Sequence, residues 1–346
     1  MIKVERGLPS PTPLLTSERK SRIDLRLMHH FCTATVNSMN CREHPANKEA
    51  WSRHVPQMAF EHDFLMDNLL ALAAVHLCHE APHLDNNHMT AFYSGKALQS
   101  YRKALANLSR KNIFAVIIAS IILSFSSLVT NRGEAVKLQG IQTGISVLLK
   151  IAGWEAAQSP IAPILGSVMW IVVPSRPITI PPKLQQMVDD IDDSDPDAPH
   201  RGVLQSCLTT LGKLYGGLLV HGLRPGIHLE ILAWQFMTPG TFPSLVMERR
   251  PRCLVIFAHY LVLFEFLPRQ WWTIGVAKQE VMAVSAMLGP EWQSLISVPL
   301  AAVQLCDTTQ IAELLLTQLP TMDPTNPLPM EPFFPAVPSR ISEDES

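Results

Sequence analysis

The chain has 346 residues, 47% hydrophobic and 17% charged, with 28 basic against 30 acidic side chains. That is apolar material for one large core, and it excludes fibrous and wholly disordered classes. A net charge of −2 gives no basic field that would hold phosphate backbones, so nucleic acid is not indicated as a direct partner.

The first ten residues carry charges and Pro9 where an export signal needs an apolar run of roughly 7 to 15 residues. Residues 1–21, with Pro9, Pro11 and Pro13 and no apolar period, read as a flexible linker. From Asp63, the positions Leu65, Leu69, Leu72 and His76 share one face, and Pro82 stops the pattern, which predicts an amphipathic helix ending near Glu80. A second helix carries the stripe Ala97, Leu98, Tyr101, Ala104, Leu105 and Leu108. The run from Asn112 to Val129 is apolar all round, which predicts a central buried helix. With its four serines it falls short of the roughly 20 apolar residues of a membrane span. Gly133 to Ile151 gives another helix, with Ile141, Ile145 and Leu148 inward and Gly153 at the C-terminal cap.

Prolines and aspartates dominate the next stretch, and an acidic Pro/Asp-rich loop is expected at 174–202. Helical periodicity resumes at Val203–Val220, Ile227–Phe236, Arg249–Phe266, Ile274–Leu288 and within Trp292–Leu319. Residues 320–346, Pro-rich and ending in acidic residues, read as a disordered tail. No strand alternation or repeat is visible. The expected fold is all-α: an orthogonal bundle of roughly 8–11 helices in one large domain over 22–319.

Three constellations bear on chemistry. Asp189-Asp190-Ile191-Asp192-Asp193 has the DDxxD form by which helical prenyl-diphosphate enzymes hold magnesium, but a second metal motif is missing and the run sits in an acidic loop. His76 and His79, spaced i, i+3 with Glu80 beside them and His83 and His88 beyond, could share a metal, although Pro82 interrupts the geometry and a histidine on an apolar stripe is more often a core residue. Cys32, Cys41, Cys78, Cys207, Cys253 and Cys306 match a binuclear zinc cluster in number only, since no two are closer than nine positions; they read as reduced thiols in an intracellular protein. No metal, cofactor or catalytic residue is expected.

The order of landmarks resembles a known family. Leu27 to Thr35, Trp51, Pro56, Ala59 to Met66 and Leu69 to Leu77 are followed by Ala97-Leu98 with Tyr101-Arg102, and by Asn112 before the apolar helix. Then come Arg250 to Val255, Ala258-His259-Tyr260, Trp271-Trp272 and Leu288 to Trp292. Together, over roughly residues 25–305, they resemble the C-terminal regulatory domain of fungal zinc-cluster (Zn2Cys6) transcription factors, with the sterol uptake control branch nearest. The chain opens inside what would be the family's linker, so the resemblance implies that the zinc cluster is absent and that DNA is reached only indirectly.

The resemblance further implies a nuclear, non-enzymatic transcriptional regulator or co-regulator that senses a sterol or terpenoid and controls a biosynthetic gene cluster. Its protein partner would be a second copy or a full-length zinc-cluster factor. The runner-up is a terpenoid-metabolism enzyme using the same apolar cavity. His259, Tyr260, Trp271, Trp272 and Met66 are the ligand-binding candidates, as polar tips and a flexible thioether among apolar walls. Ordinary core packing is the competing reading for each.

Overall fold

The computed structural model describes residues 17–39, 45–82, 87–153, 155–169, 176–224, 227–320 and 330–331. Most of the linker 1–21, Cys41, His83 and nearly all of the tail 320–346 lie outside the described residues.

The N-terminal half runs α1 (Ser17–His30), a π-helical turn Phe31–Thr35, α2 (Val36–Ser38), α3 (Pro45–Glu49), a second π-helical turn Ala50–His54, α4 (Val55–Glu61), α5 (Asp63–Glu80), α6 (Asn87–Ala106), α7 (Ile113–Thr130), α8 (Ala135–Ala152), α9 (Glu155–Gln158) and α10 (Ala162–Met169). The C-terminal half adds α11 (Pro182–Asp189), α12 (Arg201–His221), α13 (Ile227–Met237), α14 (Phe242–Met247), α15 (Pro251–Leu261), α16 (Val276–Met287), α17 (Ser297–Ala302) and α18 (Thr308–Leu316). The two-residue strands β1 (Arg176–Pro177) and β2 (Met330–Glu331) pair antiparallel, Arg176 opposite Glu331. The all-α class stands. Buried side chains from α1 to α18 form one cluster, so the halves share a core.

Helix α5 is the axis of the N-terminal half, touching α1, α4, α6 and α7. It ends at Glu80 as the proline required, but it is not amphipathic: every residue from Asp67 to His76 is buried. Ala71, Ala73 and Ala74 explain the difference, because small side chains on the face expected to be polar let neighbouring helices close over it. In α6 the stripe is narrower than expected. Tyr93 and Ala97 are buried with Tyr101 and Ala104 behind them, whereas Leu98 and Leu105 are exposed, because α6 meets α5 along one seam only.

Helix α7 is a core helix, as its composition required. It and the helical stretch 198–221 are long and apolar enough to cross a membrane, yet 56% and 61% of those windows are buried inside the fold. Ile145 and Leu148 of α8 face inward, and Gly153 takes φ +56° at the cap, its N–H donating to the Leu149 carbonyl.

Within the expected acidic loop 174–202, the described part 176–202 carries ordered structure. Leu184, Met187 and Val188 of α11 and Ile191 after it are buried, giving this segment an apolar anchor. Arg252 donates to both carboxylate oxygens of Asp195 (3.0 and 2.7 Å), and Arg250 and Arg252 grip the two oxygens of Asp197 at 2.8 and 2.9 Å. The aspartates thereby clamp the connection to the start of α15, a role that a list of like charges does not reveal. Beside it, β1 passes so close to α12 that a Cβ at Gly216 would overlap the Pro177 carbonyl. Gly216 and Gly217, where a Cβ would also meet the Arg176 side chain, each cost roughly 1 kcal/mol in helix propensity, and here they admit the strand.

Candidate functional site

Two features of the N-terminal half combine chemistry with access. The first is a groove of about 490 Å³ between α1, α4, α5 and α6. Leu25, Met28, Phe60, Met66 and Leu70 form its apolar wall, and Asp24, Asp63, Asp67 and Lys96 its polar one. Leu25 and Phe60 are 72% and 73% exposed, so the wall is open to an incoming molecule. Its charges are largely spoken for: Lys96 Nζ lies 2.5 Å from Asp67 and Tyr93 donates to Asp24 at 2.5 Å. Burial and the neighbouring Asp24 push the Tyr93 phenol up, so it remains a donor at neutral pH.

The second is a knot where α1 meets α5. His30 Nε2 lies 3.1 Å from His76 Nδ1, and the Thr35 hydroxyl lies 3.0 Å from the same nitrogen. Glu80, one turn beyond His76, places its oxygens 3.5 Å from His76 Nε2 and 3.6 Å from His30 Nε2. The π-helical turn Phe31–Thr35 continues α1 and aims Thr35 at the ring. Burial, then the neighbouring His30 and His79, lowers His76 to about 4, and burial lowers His30 despite Glu80. Both rings are therefore neutral at pH 7.

The five sequence candidates do not converge on one place. Met66 lines the groove. Trp271 covers the histidine knot: its ring centroid is 4.8 Å from that of His76, and its indole N–H donates to Ser38 Oγ at 2.8 Å. Trp272 meets Phe125 edge-on at 4.8 Å. His259 and Tyr260 sit deep in the C-terminal half. His259 is held by Tyr215 Oη on Nδ1 and the Leu295 carbonyl on Nε2, at 3.2 and 2.8 Å, while Tyr260 donates to the Ile231 carbonyl and accepts from Gln235, both at 3.0 Å. Such fully paired tips have their hydrogen-bonding capacity filled from within the protein.

Among the other sequence constellations, His79 is exposed and flanks Trp271 rather than joining the knot, and His88 is exposed on α6. His30 and Thr35 were missed, since residues 46 and 41 positions from His76 carry no spacing signal; the His76, Glu80 pair at i, i+4 was the readable part. Asp189, Asp190, Asp192 and Asp193 are all exposed, so the DDxxD carboxylates face solvent. Cys207 and Cys253 are buried and burial raises both thiols, Cys253 to about 12; the five described cysteines are free.

Comparison with known proteins gives this geometry its context. Residues 26–139, which hold the groove except for Asp24 and Leu25 together with the α1–α5 part of the knot, match the family described as fungal specific transcription factor domain. A Zn(2)-C6 fungal-type transcription factor of Gibberella zeae is 25% identical over 300 residues, covering 78% of this chain and 58% of that protein. Sterol uptake control protein 2 of Candida albicans is 31% identical over 122 residues, covering 35% of this chain and 17% of its own length. Orsellinic acid/F9775 biosynthesis cluster protein D of Emericella nidulans is 29% identical over 151 residues, 43% of this chain and 26% of that protein. The chain thus spans little more than half the length of the Gibberella zeae relative and less of the other two. The resemblance drawn from the ordered landmarks is borne out at this level: residues 26–139 match the fungal specific transcription factor domain, and most of the chain is similar to a fungal Zn(2)-C6 transcription factor.

Proposed function

We propose that this chain is the regulatory body of a fungal transcriptional regulator, acting in the nucleus without catalysing a reaction, and tied to a biosynthetic gene set. The observation that carries this reading is the run of similarity to a Zn(2)-C6 transcription factor over 78% of the chain. The names of the sterol uptake control and biosynthesis-cluster relatives support the sterol or terpenoid class of signal and the secondary-metabolic setting.

In this proposal the ligand lies in the open groove, with its apolar body on Phe60, Met66, Met28 and Leu25 and a hydroxyl directed to Asp63 or Lys96. Apolar area removed from water contributes roughly 25 cal/mol per Å², and methionine adapts its shape to an irregular partner. Because the groove is built from α1 and α4 to α6 at once, a ligand that prefers one spacing of these helices shifts their arrangement by its differential affinity. The surface shown to a protein partner, a second copy or a full-length zinc-cluster factor, then changes with it.

The test fuses the chain to a heterologous DNA-binding module and reads a reporter with and without sterol, alongside fluorescent-sterol binding to the purified protein. Met66→Trp, which fills the groove, should abolish sterol binding and fix the reporter in one state. Binding retained in Met66→Trp and lost in Tyr260→Phe or Trp272→Phe would move the ligand to the deeper candidates His259, Tyr260, Trp271 and Trp272. A reporter at the level of the DNA-binding module alone in every condition would overturn the regulatory reading. So would magnesium-dependent turnover of a prenyl diphosphate that disappears when Asp189, Asp190 and Asp193 are replaced.

A further inference from the structure

The geometry points to a divalent metal site, of the zinc class, formed by His30, His76 and Glu80 at the junction of α1 and α5. Their potential ligand atoms all lie within 4.8 Å of one another. Ligands about 2.0–2.1 Å from a tetrahedral zinc ion sit roughly 3.3 Å apart, so the pairs at 3.5 and 3.6 Å involving Glu80 are already near that spacing. Two imidazoles and one carboxylate are a borderline set that suits zinc better than calcium or magnesium, which take oxygen ligands.

The surroundings complete the site. Thr35 Oγ1 lies 3.0 Å from His76 Nδ1, so it can accept that N–H when His30 Nε2, which lies 3.1 Å from the same nitrogen, turns to the ion, and it fixes the tautomer that leaves the Nε2 lone pair facing Glu80. Ligating histidines regularly have such an outer partner, and it raises their basicity. Trp271 covers the His76 ring at 4.8 Å and Leu27 and Phe31 are buried alongside, so the site has an apolar wall on one side. Glu80 is half-exposed on the other, which supplies an open approach for the ion and the rotational freedom to close on it. His76 is nearly fully buried, which holds its place.

A bound ion would staple α1 to the axis helix α5, next to the groove that those helices line. Ion binding therefore adds a second input to the domain, independent of whether the groove takes a sterol. It is also separate in chemistry from any cysteine-held cluster, since no cysteine takes part.

The test uses the full chain stripped with chelator, then titrated with Zn²⁺ by calorimetry and with Co²⁺ by visible absorption. One equivalent should bind, with the d–d bands of a tetrahedral Co²⁺ centre, and raise the melting temperature. Glu80→Gln, at an exposed position that tolerates change, and His30→Asn should each weaken binding by at least about tenfold, the low end for loss of a metal-site partner. His88→Asn, on the exposed face of α6, should leave binding unchanged. No tight equivalent in the parent chain, or affinity kept within tenfold by either Glu80→Gln or His30→Asn, overturns the site. Circular dichroism of each variant before titration separates loss of the site from loss of the fold.

Discussion

Replacing Glu230 by alanine should destabilise the protein more than any surface charge removal, because Glu230 is the shared anion of a buried ion triad. Arg176 and Arg224 both donate to it, one to each carboxylate oxygen, and the Arg176 and Glu230 side chains are 1% and 0% exposed. Burial lowers Arg176 to about 10 even beside its carboxylate, so this guanidinium is held far from water. Removing one partner of such a pair leaves an uncompensated buried charge, which costs about 3–5 kcal/mol, against about 0–1 kcal/mol for an exposed pair such as Arg53 and Glu49.

With a urea m-value at or above about 3 kcal/mol per molar for a chain of this size, the midpoint of unfolding should fall by roughly 1 M. Tryptophan fluorescence reports it directly, since Trp234 lies in the same helix as Glu230. Exchanging Arg176 for Met, Glu230 for Leu and Arg224 for Met together should recover most of the loss, because apolar side chains of similar volume often equal a buried ion triad. A Glu230→Ala midpoint within about 0.3 M of the parent would refute the argument that this triad is desolvated, since that corresponds to an exposed pair.

Two other consequences follow from close packing and from proton linkage. Gly216→Ala should lower the melting temperature and loosen the pairing of β1 with α12, because the added Cβ overlaps the Pro177 carbonyl and overpacking costs about 1–3 kcal/mol; Gly202→Ala, where a Cβ meets open space, should be neutral or slightly stabilising. Stability should also fall as pH drops from about 6.5 to about 4: buried His259 is lowered to about 4 in the fold, so below its ordinary value the unfolded chain binds the extra proton and the folded one does not. His259 alone contributes about 3 kcal/mol over that window, and urea midpoints at pH 7, 5.5 and 4.5 should show a shallower slope in His259→Gln.

The all-α class, most helix boundaries from Asp63 to Leu288 and the inward face of α8 were legible in the sequence, because they depend on near-neighbour spacing. Pro82 ends α5 wherever the rest of the chain goes, and Gly153 caps α8 because only its backbone takes φ +56° cheaply. The family landmarks were legible for a different reason: their order along the chain, and no single motif, carries the resemblance.

The tertiary structure alone decided what those helices do to one another. A hydrophobic stripe does not say how many neighbours will cover a helix, so the enclosure of α5 on all sides and the exposure of Leu98 and Leu105 emerged only once α6 and α7 were docked. Charge runs behave the same way: Asp195 and Asp197 read as solvated until Arg250 and Arg252, more than fifty residues away, are seen gripping them. The groove at Met66 and the meeting of His30 with His76 are likewise properties of the assembled helices. Spacing along a chain fixes which face a side chain shares with its own helix, whereas contact between helices depends on packing of surfaces that no local period records.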